Sequence, residues 1–311
     1  MPDLLASILD FLPPILFAAL GGVLAERAGV VNLGLEGMMR AGAFFGFLAA
    51  FRTGSPWEGA LAGMAAGMAF ALVLAFLAIH CRADQVVTGI ALNLIALGLM
   101  SYLMKALLDR EGSTDSLPDG AMFGRAWLGR RLPVWIALAA PFVLHFLLYR
   151  TVWGLRTRAV GEHPRAVESA GVSVARLRYI AVLGSGALAG LGGACLPLGL
   201  EGRFTEHTPA GQGFIALAAV IFGKWRPLGA FAAAAFFVTA QALQLTLQGS
   251  SVAWAQGIPK GFFHAFPYVV TLLALAGFAG KASLLVGRAT PPAADGVPYV
   301  RGDGRSPLAG R

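Results

Sequence analysis

Nine stretches of this 311-residue chain are apolar over lengths that approach or match a membrane crossing, and that pattern constrains the fold more than any other feature. They fall at 4–25, 33–51, 57–79, 85–108, 133–149, 179–200, 212–223, 227–248 and 263–280. Most reach the roughly 17–25 residues that span about 30 Å of hydrocarbon at about 1.5 Å per helical residue. The 212–223 stretch is too short alone, so it either crosses with help from neighbours or dips in as a half-helix. Each must be helical, because an isolated strand in lipid leaves its backbone groups unpaired. Composition agrees: 57% of residues are hydrophobic and 13% charged, against about 25% charged in ordinary soluble proteins. A soluble core of this length cannot hide that much apolar surface. A soluble enzyme, a disordered chain and a disulfide-rich secreted module are excluded. The expected fold is an all-α polytopic membrane protein with about 8–9 transmembrane helices, broken or half helices among them. Residues 1–286 form its membrane domain and 287–311, rich in Pro, Gly and Arg, a flexible cytoplasmic tail.

Orientation follows from the 24 basic residues. With the N-terminus outside and nine crossings, fifteen of them lie on the inner side and seven on the outer, and Arg40 and Lys105 lie within spans. The positive-inside rule therefore puts the 150–178 segment and the C-terminus in the cytoplasm and the 109–132 loop outside. The net charge of +8 is accounted for by those loops and calls for no nucleic acid. Cys81 and Cys195 form no CxxC pair or disulfide framework.

Small residues repeat every fourth position at Gly59, Gly63 and Gly67 and again at Gly186 and Gly190. That spacing lets helix backbones approach closely, and it reads as packing within the chain rather than as an oligomer seam. Glycine and polar residues break the helical pattern twice, at 28–37 and at 199–213. Broken helices are tolerated where they line a cavity or lie buried in protein, and one in each half of a chain points to a substrate path.

Glu36 sits in the first break, where a charge costs at least about 2.5–3.5 kcal/mol and needs a partner or water. Arg40 lies four residues on, on the same helical face. The pair reads equally as an internal brace and as the edge of a permeation path. Asn32, Gln85, Asn93 and Gln212 add polar groups beside the breaks, and Gln241, Gln244 and Gln248 cluster on one face of another span. Amides both donate and accept, which suits neutral hydroxylated or heterocyclic ligands. These eight residues are the expected substrate path, with the three-glutamine stripe facing water. Catalytic constellations are absent. The five histidines have no metal-ligand spacing, and Gly280-Lys281-Ala282-Ser283 lacks the Ser/Thr that follows a phosphate-loop lysine. The chain reads as no enzyme, with no metal or cofactor site and no ATPase motif of its own.

Within 150–178, Pro164 suits a first helical position and Gly171 the residue past a helix end. A two-turn helix between them is marginal in water and needs a docking surface. The run Gly161-Glu162-His163-Pro164-Arg165-Ala166, followed by Ser169-Ala170-Gly171-Val172, resembles the coupling segment of ABC-importer permeases for simple sugars, branched-chain amino acids and nucleosides. The blocks at 26–39, 85–94 and 213–230 are similar to the nucleoside and purine-type branch. Two positions differ from that pattern: His163 stands where Asn is common, and Arg40 where an apolar residue is usual.

The resemblance implies a type II-like importer permease that moves nucleosides by alternating access. It also implies partners: a cytoplasmic ABC ATPase that hydrolyses the ATP, a second and different permease chain, and an external substrate-binding protein or lipoprotein, all around a body seated in lipid. Arg158, Gly161, Glu162, Pro164, Arg165, Glu168 and Gly171 are then the ATPase-coupling residues. The same machinery carrying simple sugars, and an ion-coupled secondary transporter with Glu36 as its proton site, remain alternatives.

Overall fold

The computed structural model describes residues 2–118, 120–124, 131–248 and 290–299. The expected span at 263–280 lies outside them, as do 287–289 and 300–311 of the tail. Ten helices follow in chain order among the described residues: α1 Pro2–Arg27, α2 Leu35–Thr53, α3 Pro56–Ala75, α4 Gln85–Leu108, α5 Leu132–Arg150, α6 Val152–Glu162, α7 Pro164–Ser169, α8 Val174–Cys195, α9 Gln212–Phe222 and α10 Pro227–Gln248. Wider π turns prolong α3 over Phe76–His80 and α8 over Leu196–Glu201. Side-chain caps set several starts: Ser55, Asp84, Thr151 and Ser173 accept from the N–H groups of Glu58, Val87, Gly154 and Arg176.

Among the described residues, six helical segments are long and apolar enough to cross a membrane, and α2 is not one of them. Its sequence carries Glu36, Arg40 and Arg52, and fourteen of its nineteen residues are buried, against α3, α8 and α4. Protein, not lipid, surrounds α2, which is why it tolerates charge.

The glycine repeats seat α2, α3 and α8 against one another. A Cβ on Gly42 would stand 2.2 Å from the Gly190 carbonyl oxygen, and one on Gly63 would stand 3.2 Å from the same atom. These three backbones touch directly, so the repeats are packing inside the chain, as their spacing predicts.

Loop contacts define two ends. At one, Thr114 and Leu117 donate their N–H groups to Phe204 and Gly202, and Phe123 to Leu198, stitching the 109–123 loop to 198–206. At the other, Arg27 binds the 224–225 turn, Tyr179 bonds His80, and α6 lies against α5 and α8.

The tail departs from expectation. Residues 290–299 were predicted to be flexible, yet they are docked at the Arg27 end. The Ala294 N–H donates to the Gly161 carbonyl, and Arg178 Nη1 to the Val297 carbonyl. Pro292 and Ala294 are buried. A Pro/Gly-rich composition removes regular structure but not the ability to lie against a prepared surface.

Candidate functional site

The first break begins where α1 ends in a turn: Gly29 and Val30 donate to the carbonyls of Glu26 and Ala25, with Gly29 at φ +77°. From there the chain runs unwound to Leu35, and its buried polar groups need partners. Side chains from α4 and α8 supply them. Gln85 Oε1 accepts from the Val31 N–H at 2.7 Å, and Asn93 Nδ2 donates to the Leu33 carbonyl at 2.9 Å. Asn93 Oδ1 accepts from the Gly37 N–H at 2.8 Å. Asn32 is fully buried, donates to Ser185 Oγ at 2.9 Å and accepts from the Gly34 N–H.

Glu36 joins this break to the second. Its two carboxylate oxygens accept from the N–H groups of Gly211 and Gly213 at 2.9 and 2.8 Å. Those N–H groups open α9, so the carboxylate sits on the positive end of a helix dipole. The contact demands glycine at 213, where a Cβ would lie 2.6 Å from Glu36 Cα. Arg40 donates to the Glu206 carbonyl, and its Nη2 stands 3.9 Å from Glu36. The partner expected for Glu36 was Arg40. The nearer partners are the backbone N–H groups of α9, which meet both oxygens at hydrogen-bond distance.

α9 has 11 residues, about 16 Å of rise. Its C-terminal end abuts the Arg27 end, where Arg27 Nε donates to the Trp225 carbonyl at 2.6 Å and Trp225 Nε1 donates to Glu26. Its N-terminus therefore lies about half a bilayer away from that end. The 202–211 segment completes the distance without helix, stiffened by Thr208, which donates to Glu201 at 3.0 Å. The 212–223 stretch is thus a helix of half length, Gln212–Phe222, and together with 202–211 it joins the two ends.

Asn32, Glu36, Gln85 and Asn93 are thus brought together, but around the chain's own backbone. Asn32 and Asn93, expected to line a path, hydrogen-bond the break, because seven unwound residues in a protein interior must be paired. Some capacity remains: Gln85 Nε2, Gln212 Oε1 and Gln241 Oε1 are buried without a hydrogen-bond partner. The glutamine stripe was expected to face water. In this conformation Gln241 is half-buried and Gln244 buried, since α10 packs on α1, α9 and α5. The Gln248 side chain lies outside what is described.

The coupling segment folds as two helices rather than one. α6 precedes the expected Pro164–Ser169 helix, and Gly171 past its end has φ +78°. His163 at the N-cap makes no side-chain cap, in keeping with its replacing Asn. Pro164 and Val167 face inward, whereas Glu162 is exposed and Arg165 and Glu168 half-buried. Arg158 lies 4.6 Å over the Tyr149 ring and donates to the Leu148 carbonyl, so it fastens α6 to α5. Gly161 lets α6 press on α1: a Cβ there would meet the Arg27 carbonyl oxygen at 2.3 Å. Arg178, Trp225 and Asp295 join this end without having been singled out by sequence reasoning. The burial of Arg178 against 295–299 and the bonds of Trp225 to Glu26 and Arg27 mark them, and those are visible in three dimensions alone.

Comparison with known proteins follows this geometry. Residues 4–275 match the family model described as branched-chain amino acid transport system / permease component. The guanosine ABC transporter permease protein NupQ of Bacillus subtilis is 42% identical, over 95% of this chain and 96% of its own length. The nucleoside ABC transporter permease protein NupC of Lactococcus lactis is 36% identical, with 96% of each chain covered. A solved structure described as a metal-chelate type ABC transporter in an inward-facing conformation superposes with a TM-score of 0.50 at 19% identity. It covers 91% of this chain and 85% of that one, and it shows a shared fold.

Proposed function

Since this chain belongs to the family of branched-chain amino acid transport system permease components, we propose that it is the membrane-spanning subunit of an ATP-binding-cassette importer for nucleosides. The observation that carries the nucleoside reading is its likeness to two such permeases over nearly the whole chain. In this reading the Arg27 end faces the cytoplasm, where the basic loops gather. A partner ATPase grips α6 and α7 through Glu162, Arg165 and Glu168. A second permease chain and an external binding protein complete the importer, and ATP is hydrolysed by the partner rather than here.

The geometry supports a route for the stroke. Motion of α6 passes through Gly161 to Arg27, and from Arg27 to the 224–225 turn at the foot of α9. The top of α9 hangs from Glu36. α9 is therefore a short strut between the cytoplasmic end and the membrane centre, and tilting it reshapes the break. Asn32 and Asn93 keep the break's backbone paired while it moves. Gln85, Gln212 and Gln241 offer the unused amide atoms with which a nucleobase exchanges hydrogen bonds. Affinity resides in the external binding protein, so the pore binds weakly.

The test is uptake of radiolabelled guanosine in cells stripped of their own nucleoside transporters, with this chain and its partner subunits supplied. ATP-dependent uptake competed by unlabelled nucleosides is expected. Competition by glucose instead moves the assignment to sugars. Uptake that survives an inactive ATPase and collapses with the proton gradient makes Glu36 a proton site and overturns the reading.

A further inference from the structure

The docked tail touches four elements that a power stroke must move relative to one another. Toward the coupling helices, the Ala294 N–H bonds the Gly161 carbonyl, the Ala293 N–H bonds Glu162 at 3.2 Å, and the Tyr299 hydroxyl donates to Glu168. Toward the membrane body, the Val297 carbonyl accepts from Arg178 of α8, and Gly296 packs on Val31 of the break. If α6 and α7 shift against α8 and the break, residues 290–299 cannot keep both sets of contacts.

We propose that residues 290–299 are a reversible latch, docked in the resting importer across the coupling helices and the helix break, and released when ATP draws the coupling helices away. Two observations favour release over permanent attachment. Asp295 Oδ1 and Arg178 Nε and Nη2 are buried without hydrogen-bond partners, so docking desolvates polar atoms that the attraction between the two side chains must offset. Tyr299 also walls an open groove of about 450 Å³, shared with His80, Arg82, Glu168 and Ser173, which leaves space into which the α7 contact can open. The segment's own backbone hydrogen bonds, Asp295 N–H to Pro292 and Val297 N–H to Ala294, are local turn bonds that it can keep when it lifts.

The inference rests on the reading of α6 and α7 as the ATPase-facing helices. It is tested in the intact importer in membranes, with Cys81 and Cys195 replaced and cysteines placed at Val172→Cys and Tyr299→Cys, which line the same groove beside α7 and lie outside the ATPase-gripping residues. Disulfide formation should be efficient without nucleotide and at least about fivefold slower when ATP is trapped on the ATPase. The oxidised importer should lose guanosine uptake that reduction of the same sample restores, which controls for any effect of the substitutions themselves. As a second variant, an importer whose copy of this chain ends before Thr290 should show faster ATP hydrolysis by its ATPase subunit in the absence of substrate. Equal cross-linking in both nucleotide states, with oxidised and reduced samples transporting alike, overturns the latch. So does a failure to cross-link without nucleotide. Absence of ATP-dependent uptake by the unmodified importer overturns the transport reading instead, and the nucleotide-free cross-link, read without substrate, separates the two.

Discussion

Replacing Glu36 by Gln tests the join between the two breaks. The carboxylate accepts two backbone N–H groups, at 2.9 and 2.8 Å, at the mouth of α9. Hydrogen bonds to a charged acceptor are worth about 1.5–3 kcal/mol each, neutral ones about 1 kcal/mol, and an orphaned buried donor costs about 1–3 kcal/mol. The amide keeps one acceptor, turns an NH2 group toward the other N–H, and deprives Arg40 of its charged neighbour at 3.9 Å. Shedding the buried charge returns part of that loss. The net penalty is about 3 kcal/mol, a factor of about 150 in the population of the opened junction. Hydrogen exchange read by mass spectrometry on a peptide covering 206–216 should accelerate by about that factor, while peptides from α3 stay unchanged. Guanosine uptake should fall with it, because α9 loses its upper anchor. Unchanged exchange at 206–216 would refute the reasoning, since it would mean that α9 is held by something other than Glu36.

Three further outcomes follow from the same geometry. Gly42→Ala drives a Cβ to 2.2 Å from a backbone oxygen that cannot yield, so it should destabilise the purified protein by about 3 kcal/mol, whereas Gly98→Ala, in open space, should leave the melting temperature unchanged. Arg165→Glu places a third acid among Glu162 and Glu168 on the half-exposed face of α7 and should weaken co-purification of the ATPase while membrane abundance holds. Asp295 is lifted by burial from its ordinary 3.8 to about 7, against the lowering pull of Arg178 and the Gly296 N–H, with the Glu26 carboxylate facing it. Because the docked carboxyl holds its proton more tightly than the free one, docking gains strength as pH falls through 7, about tenfold between pH 8 and pH 6. A spin label at the exposed Pro298 should therefore become less mobile at pH 6, and Asp295→Asn should remove the dependence.

Much of this was legible in one dimension. Apolar length marked the six long segments, though it also marked 33–51, which is buried in protein as α2, and glycine spacing marked α3 and α8 as close-packing helices. Pro164 and Gly171 bracketed α7 to within a residue, and the 212–223 run was legible as too short to cross alone. What stayed hidden depends on partners far along the chain. Glu36 meets Gly211, 175 positions away, whereas local spacing offered only Arg40. Asn32, Gln85 and Asn93 looked like free polar lining because nothing nearby in sequence shows that an unwound backbone needs them. The tail read as disordered because composition reports what a segment cannot build alone, and not what it can lie upon.

The burial of α2 bears on how such a chain is made. Its charged first turn leaves the ribosome early, yet the N–H groups that satisfy Glu36 belong to residues 175 positions later. At about 5–20 residues per second that is a wait of roughly 10–35 s. Throughout it, α2 has α3 beside it but neither α8 nor α9. Until then its two charges have only each other and water, at a cost of about 2.5–3.5 kcal/mol for each one placed in lipid. One of the earliest helices to be made is therefore among the last to have its contacts completed.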